Sequence, residues 1–167
     1  MKNLPLVFNP RDYPNHYLSR HSIRKMKRLH AHMKAVTYRA SEILREWDNG
    51  IDFRVGECER ALKTQERYLK TGRSKTMNSR HLIKRIKEYG EWQDRCAAID
   101  LIALVDNKVT WNWPAYHVIA KAMKQAAKEL GVKINWGGDW VNFADGPHFQ
   151  LSWDVYPIWR PRKMRHV

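Results

Sequence analysis

No run of eighteen apolar residues occurs in the sequence, so nothing in it is long enough to cross a bilayer as a helix. It holds two cysteines, Cys58 and Cys96. They are too few for a disulfide framework and lack the C-x-x-C spacing of a structural zinc site, so both are expected to be reduced and partly buried. Acidic residues are scarce: seventeen Asp and Glu stand against thirty-one Lys and Arg, a formal charge of +14. Such a field draws polyanions without naming one, since nucleic acid, anionic lipid, lipopolysaccharide and acidic wall polymers all answer to it. Repeats, low-complexity segments and linkers are lacking too, and 167 residues suit a single domain with a sizeable core. The short apolar patch at the N-terminus is broken by Pro5 and offers no small-residue cleavage site, so it is not read as a secretory signal.

What is present alternates between two periodicities. Ile23, Met26, His30, Met33, Thr37, Ala40, Ile43 and Trp47 recur at helical spacing, which predicts one long amphipathic helix ending near Asp48-Asn-Gly50. His21, His30 and His32 lie along this basic segment and are read as members of a solvated face. Ile51–Val55 alternates as a strand, followed by a short helix from Leu62 to Lys70. Residues 83–95 carry Ile83, Ile86 and Tyr89 on one side and read as an inserted helical excursion. Ala97–Val105 is an apolar run suited to a buried strand, interrupted by the single charge of Asp100. A turn at Asp106-Asn-Lys leads through Val109–Trp113 to a helix opened by Pro114 and closed by Gly131, and Val132–Trp136 returns as a strand. The order predicts an α+β fold, with helices packed on a small, mainly antiparallel sheet.

The chemistry concentrates in Trp136–Leu151. Gly146 and Pro147 fix the backbone between Asp145 and His148, and the strand-like alternation of Phe149–Trp153 places His148 at the start of a strand. A histidine on rigid structure can ligate zinc, and a carboxylate beside it can move a proton. Asp100 needs a partner for its burial, and His81 closes a polar loop. Three N and O donors with a fourth position open make a catalytic zinc site, which His81, Asp100 and His148 fit, leaving Asp145 as the base. Arg60, at a strand-to-helix corner, can grip a carboxylate in bidentate fashion or pair with Glu57 or Glu59.

At these residues the chain resembles the zinc-dependent cell-wall peptidases of the LAS type, above all the phage L-alanyl-D-glutamate endopeptidases and their D-alanyl-D-alanine carboxypeptidase relatives. Ser79-Arg-His81, Ala98-Ile-Asp100, Trp136-Gly-Gly-Asp-Trp140 and Asp145-Gly-Pro-His-Phe149 carry the likeness, which runs from about Ile51 to Trp153. The resemblance implies one zinc per chain held by His81, Asp100 and His148, with Asp145 as the catalytic base and Arg60 as a contact for the substrate carboxylate. It implies cleavage of the peptidoglycan stem peptide, most readily its L-Ala–D-Glu bond, in a phage endolysin that lyses a bacterial host. Such an enzyme would act as a monomer and wait in the host cytoplasm until the membrane is permeabilised. The basic surface and the tail 154–167 would favour anionic envelope polymers. Eighteen residues lie between His81 and Asp100, about twelve more than in the family, and a surface excursion of that size closes cheaply. The insertion is expected to form either a helical flap bordering the substrate cleft or a solvent-facing decoration, and it leaves Cys96 or Asp94 open as substitute ligands. A nucleic-acid-binding module, motivated by the charge, would leave Asp100 and the Asp-Gly-Pro-His turn unexplained. An inactive wall-binding relative would keep wall affinity without the metal.

Overall fold

Strand β4 (Ala98–Val105) sorts its side chains by parity. Ile99, Leu101 and Ala103 are fully buried on one face, whereas Asp100, Ile102 and Leu104 lie on the other and are only partly covered. The first set belongs to a core shared with helices α2 (Ala31–Trp47) and α4 (Trp113–Glu129), which pack on each other and on the sheet. Val36, Ile43, Ile119, Met123 and Phe149 fill this core, each burial stabilising the fold by roughly 1.5–3 kcal/mol. The second face is left for chemistry.

The structure, a computed structural model, describes residues 7–159. The Pro5 patch and residues 160–167 of the basic tail lie outside the described residues. Every ladder is antiparallel: β4 pairs with β1 (Ile51–Glu57), with the short β5 (Lys108–Thr110) and with β7 (His148–Leu151), and β7 pairs with β6 (Ile134–Trp136). The order is β1-β4-β7-β6, with β5 beside β4. Helices α1 (Arg20–Lys25) and α3 (Leu62–Lys70) complete the α+β architecture that the sequence predicts. Asn112 caps α4 by accepting from the Ala115 N–H at 3.4 Å, and Pro114 sits in its first turn. Among the described residues no helix is long and apolar enough to cross a membrane.

Three expectations fail. The helix predicted from Ile23 to Trp47 is broken at residues 26–30, where Leu29 bridges Cys96 and the His30 N–H donates to the Cys96 carbonyl at 2.9 Å. His30 is not on a solvated face: it is fully buried, donating through Nε2 to the Lys87 carbonyl at 2.9 Å and accepting the His32 N–H on Nδ1. His32 is half-buried against Tyr156, and His21 alone of the three is exposed.

Residues 83–95 form no helix. They make a hairpin of β2 (Lys84–Glu88) and β3 (Glu91–Arg95). Ile86 and Glu88 alternate inward with period two, and the turn residues Tyr89 and Gly90 both have positive φ, 54° and 86°, as a two-residue type I′ connection requires. The helical spacing of Ile83, Ile86 and Tyr89 was a coincidence of a short window. The hairpin packs on the start of α2, where the Glu88 carboxylate accepts the Ala31 N–H at 2.6 Å.

Candidate metal centre

Register builds the site. Asp100 in β4 stands opposite His148 in β7 and, on its other side, opposite Glu57 in β1. Residues directly opposite in an antiparallel ladder share a face, so all three side chains project from the open side of the sheet. Glu57 reaches that face because β1 slips its register between Val55 and Glu57, with Gly56 as the extra residue. A Cβ on Gly56 would come within 3.1 Å of the Asp100 carbonyl and of the Ile102 side chain, so a larger residue at the bulge would push on both.

His81 arrives from a turn outside the sheet. The Ser79 hydroxyl accepts the His81 N–H at 3.2 Å, the Arg60 N–H donates to the His81 carbonyl at 3.0 Å, and the Ala97 N–H donates to the Arg80 carbonyl at 2.8 Å. These bonds tie the turn to the start of β4. His81 Nε2 lies 3.1 Å from Asp100 Oδ1 and 3.1 Å from His148 Nδ1, and His148 Nδ1 lies 3.0 Å from Asp100 Oδ1. His81, Asp100 and His148 thus form a group able to hold a metal ion. Asp94 and Cys96 stand elsewhere: the first is exposed on β3, and the Cys96 thiol points to the Arg28 carbonyl at 3.5 Å.

The far ring nitrogens decide what the cluster wants. His81 Nδ1 is 2.8 Å from the Cys58 carbonyl, which can only accept, so Nδ1 carries the proton and Nε2 offers a lone pair. His148 Nε2 is 3.1 Å from Gln150 Oε1, which fixes its proton there and leaves Nδ1 as a second lone pair. In the tautomers these acceptors select, two imidazole lone pairs and a carboxylate converge, an arrangement that a cation completes. Burial pushes the Asp100 carboxyl up, yet the adjacent His81 and His148 outweigh it and hold the group well below its ordinary value. His148 is pulled down by burial and raised more strongly by Asp100. Both shifts express the same demand for positive charge.

Arg60 lies at the edge of this cluster, its Nη2 3.5 Å from Asp100 Oδ2. The guanidinium is held by Glu57, with Nε at 2.9 Å, by Gln65 Oε1 at 2.8 Å and by the Tyr68 ring, whose centroid is 4.8 Å away. Asp145 enters from the loop before β7. Its N–H donates to the Gly137 carbonyl at 3.0 Å, and its own carbonyl accepts the His148 N–H at 3.3 Å. Trp136 Nε1 donates to the Gly146 carbonyl at 2.7 Å and so braces the turn between them. Among the described residues no hydrogen bond holds the Asp145 carboxylate; burial, then the Asp100 charge, raises its pKa. Arg60, Asp100, Asp145, His148, Trp140 and Trp153 all line one cleft of about 730 Å³.

The sequence reading omitted the partners that orient these groups, namely the Cys58 carbonyl, Gln65 and Gln150. Gln150 was findable, because residues i and i+2 of a strand share a face. The Cys58 carbonyl left no trace in residue types.

Comparison with known proteins bears on this geometry. A sequence model of the phage L-alanyl-D-glutamate peptidases matches residues 15–151. The chain belongs to that family. The L-alanyl-D-glutamate peptidase of Listeria phage A118 is 31% identical over 144 residues, 85% of this chain and 44% of the relative. That of Escherichia phage T5 is 43% identical over 60 residues, 35% of this chain and 43% of the relative. The matched regions thus span under half the length of these two family members. The crystal structure of Serratia marcescens L-Ala D-Glu endopeptidase ChiX superposes with a TM-score of 0.66 at 31% identity, covering 81% of this chain and 90% of that one.

Proposed function

We propose that the protein is a zinc-dependent peptidase that hydrolyses the stem peptide of peptidoglycan at its L-Ala–D-Glu bond. The observation that carries this reading is the convergence of two imidazole lone pairs and one carboxylate within 3.1 Å of one another, each imidazole fixed in tautomer by an acceptor behind it. His81 Nε2, Asp100 Oδ1 and His148 Nδ1 would hold the ion. Bound there, zinc would supply a Lewis acid that polarises the scissile carbonyl and acidifies water.

The remaining work falls to the chain's own residues. Asp145 faces the same cleft with a carboxylate that no hydrogen bond among the described residues holds, and its raised pKa suits a group that takes a proton from the attacking water and returns it to the leaving amine. Arg60, preset by Glu57, Gln65 and Tyr68, would dock a carboxylate of the acidic stem peptide. The family, and the activity for which the relatives are named, support the choice of bond over D-Ala–D-Ala. The charge of +14 favours an anionic envelope as the working surface, reached once the host membrane is permeabilised. Asp145→Asn separates the roles: bound zinc and melting temperature should be unchanged, while the cleavage rate falls by roughly 10²-fold or more. Near-normal turnover would make Asp145 a turn residue.

A further inference from the structure

The open face of the sheet does not end at the metal cluster. Beyond Asp100, β4 continues on that face with Ile102 and Leu104, both only partly covered. Arg54 of β1 stands opposite Ile102, and Val109 of β5 stands opposite Leu104, so both share the face. Trp111 follows two residues after Val109 and keeps its parity, at the level of Ile102. Val109 is 44% exposed and Trp111 64% exposed. Among the described residues Trp111 makes no ring contact and no side-chain hydrogen bond, and the exposed Arg54 has no side-chain partner. Single exposed apolar side chains are ordinary on a protein surface, whereas Ile102, Leu104, Val109 and Trp111 adjoin one another and mark a contact surface.

The direction of the substrate says what passes over this surface. Arg60 lies past the other end: its chain runs on from β1 beyond Glu57, and its N–H donates to the His81 carbonyl beside the start of β4. Asp100 therefore separates Arg60 from Ile102 and Trp111. With the D-Glu carboxylate at Arg60 and the L-Ala carbonyl at the metal cluster, the amino end of L-Ala points away from Arg60. In peptidoglycan that end is joined through a lactyl group to an N-acetylated amino sugar. L-Ala and the lactyl group together span roughly 7 Å, and the path along β4 from Asp100 to Ile102 is about 6.6 Å. The first sugar thus arrives at the level of Trp111.

We infer that Trp111, with Ile102 and Val109 beside it, is a docking platform for the glycan strand, on which a pyranose lays its C–H face against the indole while Arg54 donates to a hydroxyl or acetamido oxygen. An indole offers a broad, rigid apolar face at low entropic cost, and the C–H face is the apolar side of an otherwise hydroxylated sugar ring. The peptide fills the cleft and the sugar lies outside it, since none of the platform residues lines the cleft. Trp111 thereby favours peptide still attached to the wall over free peptide. The inference rests on the reading of the site as an L-Ala–D-Glu peptidase.

The test compares two substrates on the zinc-loaded protein: N-lactyl-L-Ala–D-Glu–L-Lys, and the same peptide carried on the N-acetylglucosaminyl–N-acetylmuramyl disaccharide. Trp111→Ala, checked for unchanged zinc content and melting temperature, should lower kcat/KM on the disaccharide substrate by about 10-fold, chiefly through KM, and leave the lactyl peptide within about twofold. Trp111→Phe, which keeps a ring, should recover part of the loss. Equal losses on both substrates, or no loss on either, overturns the platform. Should Trp111→Ala fold poorly, Trp111→Gln carries the same predictions. Saturation-transfer NMR with the peptide-free disaccharide supplies a readout independent of turnover: transfer to the acetamido methyl protons should occur with the wild type and vanish in Trp111→Ala. Equal transfer to both proteins refutes the stack. A wild-type dimer in sedimentation that Trp111→Ala dissociates would make the face an interface between copies and overturn the proposal. If transfer depends on Trp111 but the wild type cleaves neither substrate, the platform stands and the peptidase reading falls.

Discussion

Gly137→Ala probes how the Trp-Gly-Gly-Asp-Trp segment governs the site. A Cβ at position 137 would lie 2.5 Å from the Asp145 carbonyl oxygen, 3.0 Å from Asp145 Cβ and 3.1 Å from His148 Cβ. A carbon meets a carbonyl oxygen comfortably at about 3.3 Å, so the two segments must part by roughly 0.8 Å. None of the obstructing atoms ends a flexible side chain, so backbone has to move, and the Asp145 N–H to Gly137 carbonyl bond moves with it. The displacement lands on the proposed base and on a proposed ligand. A misplacement of about 1 Å costs on the order of 10²-fold in rate, and overpacking of this kind costs about 1–3 kcal/mol of stability. The assay is kcat/KM on purified peptidoglycan, beside zinc content and thermal melting. Gly131→Ala is the control: its φ is 65° and nothing lies within 4 Å of the added Cβ, so it should lower stability and leave kcat/KM intact. If Gly137→Ala cleaves within about threefold of the wild type at unchanged melting temperature, the tight approach is not what positions the pair.

Two further perturbations test parts of the fold that the sequence misjudged. Burial lowers the His30 pKa from 6.5 to about 4. The unfolded chain therefore binds the extra proton between those values, and the stability His30 confers is complete above pH 6.5 and lost as the pH falls toward 4. The loss is roughly 3 kcal/mol. Denaturant melts from pH 7.5 to 4 should show it in the wild type and not in His30→Gln; equal slopes would mean that His30 protonates in place. Replacing residues 83–95 with Thr-Gly should leave zinc bound and KM on peptidoglycan within about twofold, since no hairpin residue lines the cleft and the bond from Lys84 to the cleft-wall residue Asn78, at 2.5 Å, is exposed to solvent. It should lower the melting temperature by several degrees, because Ile86 and the Glu88 bond to Ala31 are lost. A severalfold change in KM would restore the hairpin as a substrate flap.

The candidate site was legible because its residues lie in short, rigid spacings. Asp145-Gly-Pro-His148 is a turn entering a strand, and the lone charge in Ala97–Val105 identified itself by being out of place. Their union was not deducible from spacing. It depends on the Asp100 to His148 register and on the Gly56 bulge that swings Glu57 onto the same face, both set by long-range pairing. His30 was misread because its surroundings in sequence are basic, whereas its surroundings in space are Lys87, Glu88 and Tyr156, contributed by distant segments. The hairpin was misread because Ile83, Ile86 and Tyr89 fit a helix, while Tyr89-Gly90 was not recognised as a turn and outweighs that spacing.

The central claim is tested most directly by digesting purified peptidoglycan with the zinc-loaded protein and with a sample stripped by chelator, then identifying the new termini by mass spectrometry. The account predicts new L-Ala carboxyl termini left on the glycan strands and new D-Glu amino termini on the released peptides, formed by the loaded protein alone and restored to the stripped one by added zinc. Release of free D-alanine, equal cleavage by the stripped sample, or intact wall in both would contradict it.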